Sequence, residues 1–84
     1  MNRSVMICGS AGSGKSMVAR ALADKLRKHG KTVAIKEEGL SAPPGIAEAD
    51  WVILTKTPPT NNPPQLFFSS AGDLIELIDI LTTS

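Results

Sequence analysis

The chain has 84 residues, a net charge of +1 and 42% hydrophobic residues, which is enough for one compact domain with a modest core. It contains no apolar run of 18 residues and no signal-peptide core, which disfavours membrane insertion and secretion and predicts a cytoplasmic protein. A single cysteine and a single histidine exclude an internal disulfide and a Cys/His metal cluster.

The predicted elements alternate between strands and helices along one domain, residues 1–84. In chain order they are a strand over 4–8, a helix from 15 or 16 to 29 that ends at Gly30, strands over 32–36, 51–55 and 66–69, and a helix over 71–81. Four prolines within residues 57–64 predict a stiff connection there.

Helical periodicity selects the side of each predicted helix that faces the sheet. In the first helix these residues are Val18, Leu22 and Leu26. In the last helix they are Leu74, Leu77, Ile78 and Leu81. Ser70, with an acid three residues later, predicts a capping box at the start of the last helix.

Charge is distributed unevenly along the chain. Residues 1–36 carry eight Lys and Arg against one acid, a net charge of +7, whereas residues 37–84 carry one Lys against seven acids, a net charge of −6. We therefore expect the two halves to attract each other. The basic residues crowd the end of the first helix, where the helix dipole favours cations, and no aromatic residue lies among them. This pattern disfavours nucleic acid as a partner.

The strongest functional signal is the motif G-x-x-x-x-G-K-S, residues 9–16, directly after the first predicted strand. Its small residues let the backbone turn so that successive N–H groups converge on a phosphate. Lys15 can reach the β- and γ-phosphates, and the hydroxyl of Ser16 can ligate Mg²⁺. The predicted nucleotide-binding residues are Gly9, Ser10, Ala11, Gly12, Ser13, Gly14, Lys15, Ser16 and Met17.

Residues 9–35, about a third of the chain, resemble the opening βαβ unit of P-loop kinases, most closely the adenylylsulfate kinase type. The resemblance implies an α/β fold, a minimal three-layer P-loop domain with two main helices. It further implies about four parallel strands in the order 2-3-1-4, with nucleotide at their carboxyl ends. In such kinases an acidic residue just after the second strand acts as base or magnesium organiser. Glu37 and Glu38 stand in that place and join Lys15 as catalytic candidates.

The remaining strands only partly resemble other P-loop groups. The run from Asp50 to Pro59 resembles the D-T-P-P ending of the ParA/MinD group, with Lys56 in the place of the aspartate. Residues 55–57 and 70–71 resemble the base-reading elements of small GTPases, although Pro58 replaces the base-reading aspartate. This resemblance implies a base pocket of Lys56, Ser70 and Ala71.

The sequence predicts binding of a nucleoside triphosphate, with ATP favoured over GTP and Mg²⁺ as the accompanying ion. It leaves three functions open. The first is a slow NTPase, or one activated by a homodimer or protein partner that supplies missing groups, because no arginine follows Arg27 to form a lid. The second is a small-molecule kinase using Glu37 or Glu38. The third is a nucleotide- or phosphate-binding interaction module without turnover.

Overall fold

The computed structural model describes residues 3–58 and 63–83. Its elements are β1 (Arg3–Cys8), α1 (Lys15–Lys28), β2 (Val33–Lys36), β3 (Trp51–Lys56), β4 (Gln65–Phe68) and α2 (Ala71–Thr82). All six predicted elements are confirmed, with ends within one residue of the predicted ones. The predicted proline-rich connection falls partly on residues 59–62, which lie outside the described residues. Within the described ranges, no helix is long and apolar enough to cross a membrane.

The four strands form one sheet in the order β2-β3-β1-β4, which confirms the predicted order. β3 pairs in parallel with both β1 and β2. β4 runs antiparallel to β1, so the prediction of a fourth parallel strand is wrong. A parallel neighbour needs a crossover of a dozen or more residues, usually a helix. Only residues 57–64 separate β3 from β4, so the chain re-enters the sheet from the edge at which it left.

The core lies between the two helices and one face of the sheet. Paired residues of neighbouring strands point to the same face of the sheet. Val5, for example, pairs with Ile53 of β3 and with Phe68 of β4. The buried core residues are Val5, Ile7, Trp51 and Ile53 of the sheet, Ala19, Leu22, Ala23 and Leu26 of α1, and Leu77 and Ile80 of α2. Both helices therefore pack on the same face. The predicted three-layer arrangement is not confirmed, because the part of the chain that the structure describes has no helix on the opposite face of the sheet.

Glycine ends α1 as predicted. Gly30 has φ of +79°, a conformation that residues with a Cβ rarely adopt. Its N–H donates to the carbonyl of Arg27 at 3.0 Å, and the N–H of Lys31 donates to the carbonyl of Leu26 at 3.1 Å. This pair of bonds is the Schellman arrangement, and it turns the chain from α1 into β2. The predicted sheet-facing side of α1 is confirmed, because Leu22 and Leu26 are buried and Val18 packs against the core.

Ser70 caps α2 as predicted, while the carboxylate of Asp73, the other half of the predicted capping box, contacts Arg3. The helix also buries a different side from the predicted one. The side chain of Ser70 accepts a hydrogen bond from the N–H of Asp73 at 3.2 Å. The buried residues are Asp73, Leu77 and Ile80, so the predicted burial is right for Leu77 and wrong for the other three positions, Leu74, Ile78 and Leu81. Apolar residues occupy most sides of this helix, so periodicity could not select the buried one.

Ion pairs between the two halves of the chain explain why α2 turns an acidic residue inward. Arg3 contacts Asp73 at 2.8 Å and also pairs with Glu76. Lys31 lies 3.8 Å from the same Glu76. These contacts confirm the expected attraction between the basic first half and the acidic second half. They also supply the buried Asp73 carboxylate with the cation that it needs in a desolvated position.

Candidate phosphate-binding site

Residues 9–14, the β1–α1 loop, connect β1 to α1 at the carboxyl edge of the parallel strands. Gly12 and Gly14 have φ of +80° and +89°, so the loop uses backbone conformations that only glycine adopts without strain. The N–H of Gly9 donates to the carbonyl of Lys56 at 3.1 Å, and the N–H of Ser13 donates to the carbonyl of Ser10 at 3.0 Å. The loop is thus a closed turn fastened to the end of β3.

Gly9 is required for a different reason, close packing. A Cβ placed on Gly9 would lie 2.5 Å from the Oγ of Ser13 and 3.3 Å from the Cα of Pro64. The first distance is shorter than any normal contact, and the second is to backbone that cannot rotate away. The β1–α1 loop therefore packs directly against the chain that enters β4. No sequence motif predicted this contact, although the short connection between β3 and β4 is consistent with it.

The start of α1 has no side-chain cap. Its N-cap residue is Gly14, and its first turn contains no acidic residue. The first N–H groups of a helix have no partner within the helix, and in the described structure the N-cap residue makes no side-chain hydrogen bond to them. α2 differs, because Ser70 caps it. The first turn of α1 borders an open concavity of about 300 Å³, lined by Gly12, Gly14, Lys15, Ser16 and Met17.

Two further features of the loop bear on anion binding. The Oγ of Ser13 is buried and has no hydrogen-bond partner among the described residues. The concavity is open to solvent, is lined by Lys15 among other residues, and borders the positive end of the helix dipole. Uncapped N–H groups, a helix N-terminus and a lysine at one place suit a phosphate. Of the other predicted loop residues, Ala11 is exposed, and Ser10 takes part in the turn through its carbonyl.

The two acidic candidates lie at the same edge of the sheet, because they follow β2 directly. The Oε1 of Glu37 lies 3.4 Å from the Oγ of Ser16, at the long limit of a hydrogen bond. The Oε2 of Glu38 accepts a hydrogen bond from the N–H of Thr57, just beyond β3. The structure therefore brings Glu37 to the first turn of α1, and a hydrogen bond joins Glu38 to the residue after β3. The contact between Glu38 and Thr57 was not predicted from the sequence.

A hydrogen-bond network fixes the backbone that carries Glu37. The Nζ of Lys36 donates to the carbonyl of Glu37 at 3.2 Å and to the carbonyl of Leu40 at 2.6 Å. The N–H of Leu40 donates back to the carbonyl of Glu37 at 3.1 Å, which closes a turn after β2. Lys36 is thereby directed at backbone carbonyls, so its charge stabilises the turn that presents Glu37.

Ser16 and Glu37 together suit a hard cation such as Mg²⁺. Two neighbouring oxygen ligands of an octahedral Mg²⁺ lie about 3 Å apart, since each metal–oxygen distance is about 2.1 Å. The 3.4 Å between the Ser16 and Glu37 oxygens is close to that spacing. No group of three or more His, Cys, Asp or Glu is assembled for a metal within residues 3–58 and 63–83. A cation here would therefore depend on phosphate oxygens and water for its other ligands.

The predicted base pocket is not assembled. Lys56 pairs with Cys8 at the carboxyl edge of the parallel strands, and its side chain is exposed. Ser70 and Ala71 lie near the opposite edge, because β4 runs back along β1 and Phe68 is already level with Val5. The error follows directly from the reversed direction of β4.

Asp50 also lies at the opposite edge, because it directly precedes the first residue of β3. Its carboxylate accepts hydrogen bonds from the N–H of Thr32 at 2.9 Å and from the hydroxyl of Thr32 at 3.1 Å. These bonds, with the nearby charge of Lys31, hold the pKa of Asp50 below its usual value. Asp50 thus links the residue before β3 to the residue before β2, and it takes no part in the candidate site.

Comparisons of this chain with family models, with curated proteins and with solved structures find no match. Functional assignment therefore depends on the site itself, namely the β1–α1 loop, the uncapped start of α1 and the contact between Ser16 and Glu37.

Proposed function

We propose that the chain binds the phosphates of a nucleoside triphosphate, with ATP favoured, together with Mg²⁺. One observation carries the proposal. The uncapped N-terminus of α1, preceded by two glycines with positive φ, borders a concavity beside Lys15 and Ser16. A polyphosphate would accept hydrogen bonds from the N–H groups at the start of α1 and complement both the lysine and the helix dipole.

Each residue has a separate role in this proposal. Backbone N–H groups of the β1–α1 loop and of the first turn of α1 donate to phosphate oxygens. Lys15 neutralises phosphate charge at the open side of the concavity. Ser16 and Glu37 hold the cation, which when bound withdraws charge from the phosphate oxygens and orients them. Glu38 fixes the end of β3 through Thr57 and does not contact the ligand.

Efficient hydrolysis needs groups that the described residues do not place at the concavity. Phosphoryl transfer requires compensation of the charge that develops in the transition state, commonly by an arginine. No arginine lines the described concavity, and Arg3 is paired with α2. We therefore propose slow hydrolysis, or hydrolysis activated by a second copy or a protein partner that supplies such a group. If neither a second copy nor a partner supplies this group, the same site would bind nucleotide without turnover.

A small-molecule kinase is the second candidate, and the position of Glu37 favours it. A carboxylate beside the metal-binding hydroxyl can organise Mg²⁺ or accept a proton from an acceptor hydroxyl. Glu38 is the weaker candidate for a base, because its carboxylate accepts from the N–H of Thr57. An acceptor-dependent consumption of ATP that Glu37→Gln abolishes even at saturating Mg·ATP would favour the kinase over the NTPase.

Calorimetric titration of Mg·ATP into the protein and its variants tests the proposal. Lys15→Ala removes the lysine at the concavity, and we expect it to weaken binding by at least about tenfold, or 1.4 kcal/mol. Lys28→Ala is the matched control, since it removes an equally charged residue from the far end of α1. Equal affinity of all three proteins, or no binding at millimolar nucleotide, would contradict the proposed function.

A further inference from the structure

The side of the molecule formed by β4 and α2 is apolar and open. β4 is an edge strand of the described sheet, paired with β1 on one side only. Its sequence, Gln-Leu-Phe-Phe, contains none of the charged residues or internal prolines that normally protect a strand edge from pairing. Leu66 and Phe67 are 40% and 48% exposed, on opposite faces of this strand. The edge therefore offers both free backbone groups and apolar side chains.

α2 extends this apolar surface beside the edge strand. Leu74, Ile78 and Leu81 lie on the flank of α2 opposite Glu76, at 100° per residue. Glu76 contacts Lys31, which follows α1, so the apolar flank points away from α1 and past the β4 edge. Leu66 pairs with the core residue Ile7, which places it on the sheet face that carries α2.

We call this surface the β4–α2 patch. Its members are large apolar residues that are 40–50% exposed, namely Leu66, Phe67, Leu74, Ile78 and Leu81.

Charge limits which partner suits the patch. Between residues 63 and 83 the charged residues are three acids, and two of them pair with Arg3 or Lys31. Asp79 alone has no ion pair among the described residues. A surface so poor in charge offers no electrostatic complement to a strongly charged partner. Two copies of the patch can pack against each other, because a two-fold contact brings identical surfaces together and few like charges would then meet.

We infer that the β4–α2 patch is the interface through which a second copy of this chain binds. The exposed apolar area of the patch is roughly 400 Å², from these exposed fractions and about 170 Å² for a full apolar side chain. A standard interface buries about 800 Å² on each partner, and in homodimers about 65% of it is apolar, which is roughly 500 Å². The patch thus supplies most of the apolar area that a two-fold dimer needs.

The arrangement of the dimer follows from the strand edge. Two β4 strands related by a two-fold axis pair antiparallel, which joins the two four-stranded sheets into one sheet of eight strands. The two α2 helices then lie side by side on the same face and cover each other's Leu74, Ile78 and Leu81. The β1–α1 loop lies at the carboxyl edge of β1 and contributes no residue to this interface, so dimerisation does not depend on nucleotide binding.

Sedimentation velocity over a concentration series from micromolar to near-millimolar tests the inference. We expect a monomer–dimer equilibrium that Ile78→Glu shifts at least tenfold toward monomer. Leu40→Glu is the matched control, since Leu40 is 59% exposed but lies after β2, outside the β4–α2 patch, and we expect it to leave the equilibrium unchanged. Circular dichroism verifies that both variants fold, and Leu66→Lys replaces Ile78→Glu if that variant does not.

Amide hydrogen exchange gives a second readout that is specific to strand pairing. Exchange of residues 65–68 should slow as protein concentration rises in the wild type and should not change with concentration in Ile78→Glu. A monomer at all concentrations, assembly that grows beyond a dimer, or an equal effect of Leu40→Glu would each overturn the inference. So would a dimer in which residues 65–68 exchange at the monomer rate.

Discussion

The hydroxyl of Ser16 lies 3.4 Å from the carboxylate of Glu37, although 21 positions separate the two residues along the chain. β2 and β1 are not neighbours in the sheet, since β3 lies between them. The contact forms because α1 packs across β1, β3 and β2, so its first turn reaches the end of β2. Two segments that are distant in sequence thereby supply the two candidate ligands for one cation.

Glu37→Gln should weaken the effect of Mg²⁺ on nucleotide binding. A neutral amide is a poorer ligand for Mg²⁺ than a carboxylate, so we expect about a tenfold loss of affinity for Mg·ATP. Affinity for ATP in the presence of a chelator should not fall. Calorimetry with and without Mg²⁺ measures both quantities. Glu38→Gln is the matched control, because its amide oxygen can still accept from Thr57, and equal losses in the two variants would refute the assignment of Glu37.

The local motifs allowed much of this site to be predicted from sequence. The glycines and Lys15 of the β1–α1 loop, and the position of Glu37 after β2, follow from a motif and a resemblance that both lie within about 30 residues. Local sequence also indicated the ends of α1, because Gly30 must adopt a positive φ. These features depend on interactions between residues that are close in sequence, so local sequence patterns predict them.

Features that depend on the path of the chain were harder to predict. The direction of β4 is determined by the length of the connection before it, and the predicted position of Ser70 and Ala71 failed with it. The buried side of α2 depends on Arg3, which is 70 positions away from Asp73. Helical periodicity contains no information about such a distant ion pair. The tethering of Glu38 by Thr57 was missed for the same reason.

Gly9→Ala should destabilise the fold and distort the β1–α1 loop. The new methyl group would lie 2.5 Å from the Oγ of Ser13 and 3.3 Å from the Cα of Pro64. Overpacking of this kind typically costs about 1–3 kcal/mol. Urea unfolding measures the loss, and nucleotide titration measures the distortion.

The double variant Gly9→Ala/Ser13→Ala separates the two contacts of Gly9. Removing the Ser13 hydroxyl relieves the shorter contact and leaves the one with Pro64. We therefore expect Gly9→Ala to reduce the free energy of unfolding less in the Ser13→Ala background than in the wild type. Equal losses in the two backgrounds would mean that Ser13 does not restrict position 9.

Asp50→Asn should reduce stability at neutral pH and have less effect in acid. Hydrogen bonds from Thr32 hold the pKa of Asp50 below its unfolded value, so the folded state binds fewer protons at this site than the unfolded state. The resulting stabilisation is present above the unfolded pKa, about 4, and is lost as the pH falls through the lower folded value. Asparagine resembles the protonated form.

Thermal unfolding from pH 7 down to about pH 2 measures this dependence. The difference in melting temperature between wild type and Asp50→Asn should be greatest at neutral pH and should shrink below about pH 4. Asp24→Asn is the control, since that carboxylate is exposed on α1 and lies 3.9 Å from the side chain of Arg27. A difference that stays constant with pH would exclude the charged Asp50–Thr32 interaction as its source.

The most direct test of the central claim is a titration of isotopically labelled protein with Mg·ATP, followed through the backbone amides of residues 9–17. Mg·GTP and inorganic phosphate serve as comparisons. We predict saturating shifts in residues 9–17 and at Glu37 that Lys15→Ala weakens strongly. Absence of shifts at millimolar nucleotide, or shifts that survive in Lys15→Ala, would contradict phosphate binding at the start of α1.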